Sequence, residues 1–157
     1  MHAYSDHGLR LAPKSFAHIL RALPADALDR HTDPDRFTVR EVIAHLADWE
    51  PILRGRIESA LNEDNPSIQP YDESERAISQ NYSAQDPWVA LENWQRERAK
   101  TADLCKSLTA EQWSRPFTHP ERGRMTVETM ASFLHGHDHY HLEQISAFLE
   151  PKVAGTW

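Results

Sequence analysis

The sequence is poor in several residue types, and each shortage excludes something. It has one cysteine, Cys105, so no internal disulfide can form, and a reducing cytoplasm is the expected compartment. Basic residues are outnumbered, with Lys+Arg 17 against Asp+Glu 24 and a formal net charge of −7. That balance argues against nucleic acid as the main partner, because phosphate binding needs a basic face. No run of about 18 apolar residues occurs, so no transmembrane helix and no membrane partner are expected. The segment Met1–His7 lacks the charged-then-apolar pattern of a secretion signal. Only five glycines occur, no stretch alternates strictly as a strand would, and the ten prolines fall mostly between periodic segments. What remains is ordinary for a soluble domain, at 39% hydrophobic and 26% charged residues. A single domain over residues 1–157 is expected, long enough to bury a core.

The apolar spacing is helical throughout. Residues 8–23 carry Leu9, Phe16, Ile19, Leu20 and Leu23 on one face, and Pro13 predicts a regular helix only from that point. A polar loop over 29–36 leads to Thr38-Val-Arg-Glu41, a capping box. The following helix, 39–61, buries Val42, His45, Leu46, Trp49, Leu53, Ile57 and Leu61, with Pro51 expected to kink it. A long polar connection, 62–71, precedes a short helix begun by Asp72-Glu-Ser-Glu75. A crossover of that length can cover one end of a bundle. Asp86-Pro87 opens a third long helix to Leu108, with Trp88, Leu91, Trp94, Arg98, Ala102 and Cys105 on one face. Thr109-Ala-Glu-Gln112 caps one further turn, residues 114–124 read as irregular, and Thr126 opens the last helix, to about Phe148, with Pro151 beyond it. Phe37-Thr38-Val39 echoes Met125-Thr126-Val127, which predicts that the second and last long helices start at the same end. The economical fold is all-α, a four-helix bundle with one or two short helices in its connections.

Four of the ten histidines fall in the segment His135-Gly-His137-Asp138-His139-Tyr-His141. Residues four apart share a helix face, giving two pairs, His135/His139 and His137/His141. The apolar stripe through Met130, Leu134, His141, Ile145, Phe148 and Leu149 puts His137 at its edge, one turn below His141. His135 and His139 fall on a line with Ala131 and Ser146, which reads as solvated. Buried imidazoles need partners. A divalent metal shared by His137 and His141, with His45 as a third ligand, would supply them and leave a coordination position open for chemistry. The plain alternatives are a buried His45 satisfied by Asp48 or a carbonyl, and a merely polar helix end at 137–141. Periodicity fixes faces and not distances, so it does not say whether His45 reaches the pair.

His45-Leu-Ala-Asp48-Trp-Glu50 with Arg54 and Arg56-Ile57, and His137-x3-His141-x2-Gln144-Ile145, together resemble the DinB-like superfamily. Pro70-Tyr71-Asp72-Glu73, Leu91…Arg98 and Gly123…Thr126 fit the same pattern, and the resemblance covers residues 11–149. It implies a four-helix bundle holding a divalent ion through His45, His137 and His141, with zinc or nickel first and iron or manganese as alternatives. His135 and His139 are extra to the pattern. A ligating histidine usually passes its other N–H to a neighbour, which points to Asp48 for His45 and to Gln144 at the open position. Asp138, Tyr71 and Asp72 are weaker candidates, Asp72 reading better as a cap. Family members include metal-dependent thiol transferases, a thiol-dependent isomerase and proteins described as hydrolases. Common to these is an ion that lowers the pKa of a water or thiol. The resemblance therefore implies a small-molecule substrate and either hydrolysis or S-transfer with a low-molecular-weight thiol. Arg54, Arg56 and Arg98 are available to bind an acidic thiol. The alternative is a non-catalytic, metal-stabilised bundle, in which Glu50 or His139 would close the ion's coordination. Trp88, Trp94, Trp113 and Trp157 look exposed and are compatible with a homodimer.

Overall fold

The computed structural model describes residues 3–149. In chain order the elements are α1 (Ala3–Ala22), α2 (Val39–Asn62), α3 (Glu73–Ser79), α4 (Pro87–Ser107), α5 (Ala110–Trp113), β1 (Pro116–His119), β2 (Gly123–Thr126) and α6 (Val127–Ser146). The long helices α1, α2, α4 and α6 make a four-helix bundle, and α3 and α5 are the short extras. Their starts follow the capping chemistry: Thr38 and Glu41 satisfy each other's backbone N–H groups, as do Thr109 and Gln112, and Asp72 and Asp86 cap α3 and α4.

Helix directions come from cross-helix contacts. Arg10 pairs with Asp103 and Phe16 packs edge-on against Trp94, so α1 and α4 are antiparallel. Arg40 reaches the Gln85 carbonyl and Arg54 pairs with Glu97, so α2 and α4 run in parallel. Gln144, near the end of α6, donates to the Phe37 carbonyl just before α2, while Ile57 and Val127 share a core cluster at the other end. Thus α2 and α6 are antiparallel, and the expectation of a shared starting end is wrong. The echo around Thr38 and Thr126 is capping chemistry, which specifies a helix start and carries no direction in space. Parallel α2 and α4 oblige residues 63–86 to return along the bundle, since 24 residues of α2 rise about 36 Å. That return segment, with α3 on it, passes over the histidines.

Three other readings change. The helix α1 starts well before Pro13, which lies inside it. Proline cannot bond the carbonyl four residues back, and the freed Leu9 carbonyl lies 3.4 Å from the Arg98 guanidinium. Residues 116–126 form an antiparallel hairpin, with His119 opposite Gly123. Gly123 adopts φ 70°, as the end of a three-residue hairpin loop requires. The hairpin is tied to the return segment by the Ile68 N–H on the Thr118 carbonyl (3.0 Å) and the Thr118 N–H on the Pro66 carbonyl (2.8 Å). Four residues per strand are too few to show alternation above background. Of the tryptophans that looked exposed, Trp94 is fully buried, Trp113 is half-buried and Trp88 is exposed. Trp157 and Pro151 lie outside the described residues.

The apolar core falls into two clusters. One holds Leu9, Leu53, Ile57, Phe117, Met130 and Leu134; the other holds Phe16, Val42, Leu46, Leu91, Trp94 and Ile145. Between them, at the waist of the bundle, lies a polar layer. Arg98 of α4 donates to Glu50 of α2 through Nε (2.8 Å) and to Asp138 of α6 through Nη1 and Nη2, with all three side chains at most 5% exposed. Burial works against the Arg98 charge, but the Asp138 hydrogen bonds and the Glu50 charge more than offset it, so its pKa lies above the usual value. With the Leu9 carbonyl included, every long helix contributes to this knot.

Candidate metal centre

The second half of the polar layer is histidine. The helix α2 brings His45, fully buried between Val42 and Trp49, and α6 brings His137 and His141. The three rings form a near-equilateral triangle, with centroids 5.0 Å (His45–His137), 4.9 Å (His45–His141) and 4.7 Å (His137–His141) apart. One nitrogen from each lies within 4.8 Å of the others, and no other such group of His, Cys, Asp or Glu occurs among the described residues. His45 Nε2 and His137 Nε2 are 2.9 Å apart, so in the metal-free state one of them carries the shared proton.

Electrostatics keep the imidazoles neutral, which ligation requires. Burial lowers all three pKa values. His45 lies well below its usual range, helped by repulsion from the other two rings. His137 falls to about 3 and His141 to about 4. The donor set therefore fits a borderline divalent ion: three neutral nitrogens converging on one point, with no carboxylate among them. Charging the rings by protonation is the costly alternative.

The surroundings add detail for Gln144 and differ from the sequence expectation for Asp48. Gln144 borders the outer cavity, and its amide is engaged at both ends: its Oε1 accepts from His141 Nδ1 at 3.1 Å, while its Nε2 donates to the Phe37 carbonyl at 2.8 Å. This fixes the ring so that His141 Nε2 is the free nitrogen. Asp48 does not orient His45, whose Nδ1 has no partner. Instead Asp48 accepts two bonds from Arg76 of α3 and one from the Tyr82 hydroxyl at 2.7 Å. Spacing along α2 placed Asp48 near His45, but a cation and a phenol arriving from the return segment outcompete a neutral imidazole for it. Asp48 clamps α3 over the site.

Other candidates sort simply. Asp72 caps α3. Asp138 and Glu50 are engaged by Arg98, and Arg54 is engaged by Glu97. His139 is exposed, its Nδ1 on the His135 carbonyl at 2.9 Å, and His135 is half-buried. The sequence reading missed the Arg98–Glu50–Asp138 knot, although one cation and two anions on apolar stripes was a usable signal. It also missed His119 and Arg122 on the hairpin, for which no local pattern exists.

Two cavities flank the triad. The outer one, about 210 Å³, is lined by Arg36, Phe37, Glu73, Tyr140, His141 and Gln144, and by His137. The inner one, about 50 Å³, is lined by Trp49, Arg56, Tyr71, His119, Arg122 and Phe133. Glu73 and His137 border both. Partial desolvation raises the Glu73 pKa above its usual value.

Comparison with known proteins agrees with this architecture. The sequence profile of the DinB superfamily matches residues 9–145. The chain is 28% identical to "Putative metal-dependent hydrolase YfiT" of Bacillus subtilis over 139 residues, covering 88% of this chain and 78% of that protein. It is 29% identical to a similarly named protein of Oceanobacillus iheyensis, covering 89% and 81%. The solved structure of YfiT, described as a probable metal-dependent hydrolase with an unusual four-helix bundle topology, superposes with TM-score 0.87 at 27% identity, over 92% of this chain and 83% of that one. A mycothiol-dependent maleylpyruvate isomerase shares the fold, at TM-score 0.71 and 14% identity, over 90% of this chain and 59% of that one.

Proposed function

The chain belongs to the DinB superfamily, and from that premise we propose that it is a metal-dependent hydrolase of small molecules, with His45, His137 and His141 holding one divalent ion, zinc or nickel. The observation that carries the reading is the open side of the triad. A structural ion would need a closing protein ligand, and Glu50 and His139 were the candidates for it. Glu50 is held by Arg98 and Trp94, and His139 bonds the backbone of its own helix. The triad faces a cavity of about 210 Å³ instead, large enough for a small substrate. The names of the relatives point the same way.

A divalent ion bound there supplies a Lewis acid and a nucleophile at neutral pH. The protein's own groups do the rest. Gln144, anchored on Phe37, holds the His141 ring in one tautomer. Glu73, a solvent-exposed carboxylate bordering both cavities, would be placed to accept a proton from the nucleophile and return it to the leaving group. The Asp48–Arg76 clamp holds Glu73 in place through α3.

Elemental analysis of untagged protein beside His45→Ala tests the centre: about one ion per chain is expected, lost in the variant, and equal metal in both would refute the triad. For the reaction, metal-loaded protein is assayed on ester and amide panels with and without added low-molecular-weight thiols. Metal-dependent turnover without thiol, abolished by Glu73→Gln, is expected. Turnover only with thiol would replace hydrolysis by S-transfer, and none on either panel would leave a non-catalytic bundle.

A further inference from the structure

Arg56, five turns into α2, is only 7% exposed. A buried guanidinium needs a carboxylate or a full set of acceptors. Arg98 and Arg54 have theirs, but Arg56 does not. Its Nη2 has a long 3.4 Å contact with the Gln69 carbonyl, its Nε has no partner, and among the described residues no carboxylate lies within 4.0 Å of it. One face of the group leans on the Trp49 ring at 5.7 Å. Nε is shut off from solvent, so a ligand meets this group through its Nη nitrogens, charged donors suited to the oxygens of a carboxylate.

Arg56 borders the inner cavity and, beside Ile52, Ile68 and Tyr71, a second pocket of about 340 Å³; two more donors line the inner cavity with it. Arg122, from the loop of the hairpin, has no ion pair among the described residues, and its guanidinium sits 5.0 Å over the Phe133 ring. Phe133 in turn stacks on His137 at 5.6 Å and 17°. His119 accepts the Glu121 N–H at Nδ1, so its proton is on Nε2. Burial and the charges of Arg56 and Arg122 hold its pKa below the usual value. Glu73 and Glu121 also border the cavity, yet neither pairs with Arg56 or Arg122 within 4.0 Å. The outer cavity also holds an arginine, Arg36, whose Nε and Nη2 have no partner but which, unlike Arg56, has a carboxylate at 3.5 Å in Glu143 and stacks on Tyr140.

We propose that the inner cavity is the receptor for a substrate carboxylate, held by Arg56 and Arg122 with His119, one short arm from the metal centre. This rests on the metal-dependent reading of the triad and names its substrate class: small carboxylic acids whose reacting bond lies in the outer cavity. The sizes agree. A water needs about 10–15 Å³, so about 50 Å³ admits a carboxylate and excludes the body of a substrate, while the outer cavity of about 210 Å³ admits that body.

Calorimetric titration of metal-loaded and metal-stripped protein with glutarate, its neutral diamide and inorganic phosphate tests this. Glutarate is expected to bind both forms and the diamide neither. Arg56→Met and Arg122→Met should each weaken glutarate roughly 10- to 100-fold, the loss of a charge-assisted hydrogen bond. Arg122 is exposed, so that variant reports even if Arg56→Met fails to fold. Absence of glutarate binding, full binding in Arg122→Met, or tighter binding of phosphate than glutarate would overturn the proposal. Binding to metal-stripped protein is read without turnover, so its failure and a failure of hydrolysis are separate results.

Discussion

Replacing Arg98 by methionine removes the one cation in the waist of the bundle and leaves two carboxylates facing an apolar side chain. Glu50 and Asp138 are at most 5% exposed in their side chains, so water cannot take the place of the guanidinium. Breaking a buried pair by removing one partner costs about 3–5 kcal/mol. Here one removal strands two anions and also the Leu9 carbonyl freed by Pro13, so the upper end is expected. In a chain of this size about 4–5 kcal/mol corresponds to a fall in Tm of roughly 8–20 °C. The deficit should also depend on pH. Without Arg98, desolvation and mutual repulsion raise the folded pKa of both carboxyls above their unfolded values. The folded state then binds more protons, so the variant gains on the wild type as pH falls from 7 to 5. The neutral triple variant Glu50→Gln/Arg98→Met/Asp138→Asn should be the more stable of the two, because it buries no charge. Urea unfolding of metal-free protein at pH 7, 6 and 5 reads all three quantities. An Arg98→Met deficit below about 1 kcal/mol, or one that does not change with pH, would refute the account of the knot.

Asp48→Ala should leave the metal content unchanged, since Asp48 does not touch His45, yet cost about 1–3 kcal/mol for the buried Tyr82 hydroxyl it strands. Hydrogen exchange should rise in α3; loss of metal in this variant would restore Asp48 as a support for His45. Gln144→Leu should weaken metal affinity about 10–100-fold in a chelator competition, because His141 Nδ1 loses its acceptor; unchanged affinity would count against it. For metal-free protein, stability should fall on acidification. The buried imidazoles have folded pKa values below the unfolded 6.5, so their contribution is complete above that pH and is lost as pH drops toward about 4 for His141 and about 3 for His137. Between pH 7 and 5.5 each buried ring should cost about 1 kcal/mol, read as the urea midpoint. A flat midpoint over that range would mean the rings are not buried neutral.

The sequence by itself determined where helices begin and which faces they bury, because both are local. Thr38–Glu41, Thr109–Gln112 and Asp86-Pro87 cap the helices they were read to cap, and the stripe through Leu134, His141 and Ile145 is the buried one. The histidine pair was legible for the same reason, since one helical turn brings His137 under His141 without help from the fold. Direction and distance were not legible. Caps at Thr38 and Thr126 look alike although their helices run in opposite senses, and only cross-helix packing shows it. Asp48 is one turn from His45, yet its partners come from residues 76 and 82, beyond the return segment. Arg56 reads in the sequence as one arginine among several. Only the tertiary structure buries it without a carboxylate, because that requires a helix, a hairpin and a crossover to close around it. That the four histidines of one short segment resolve into one inward pair was set by the helical period; that His45 reaches across to complete it, and that the triad opens onto two cavities of different size, was set by the fold.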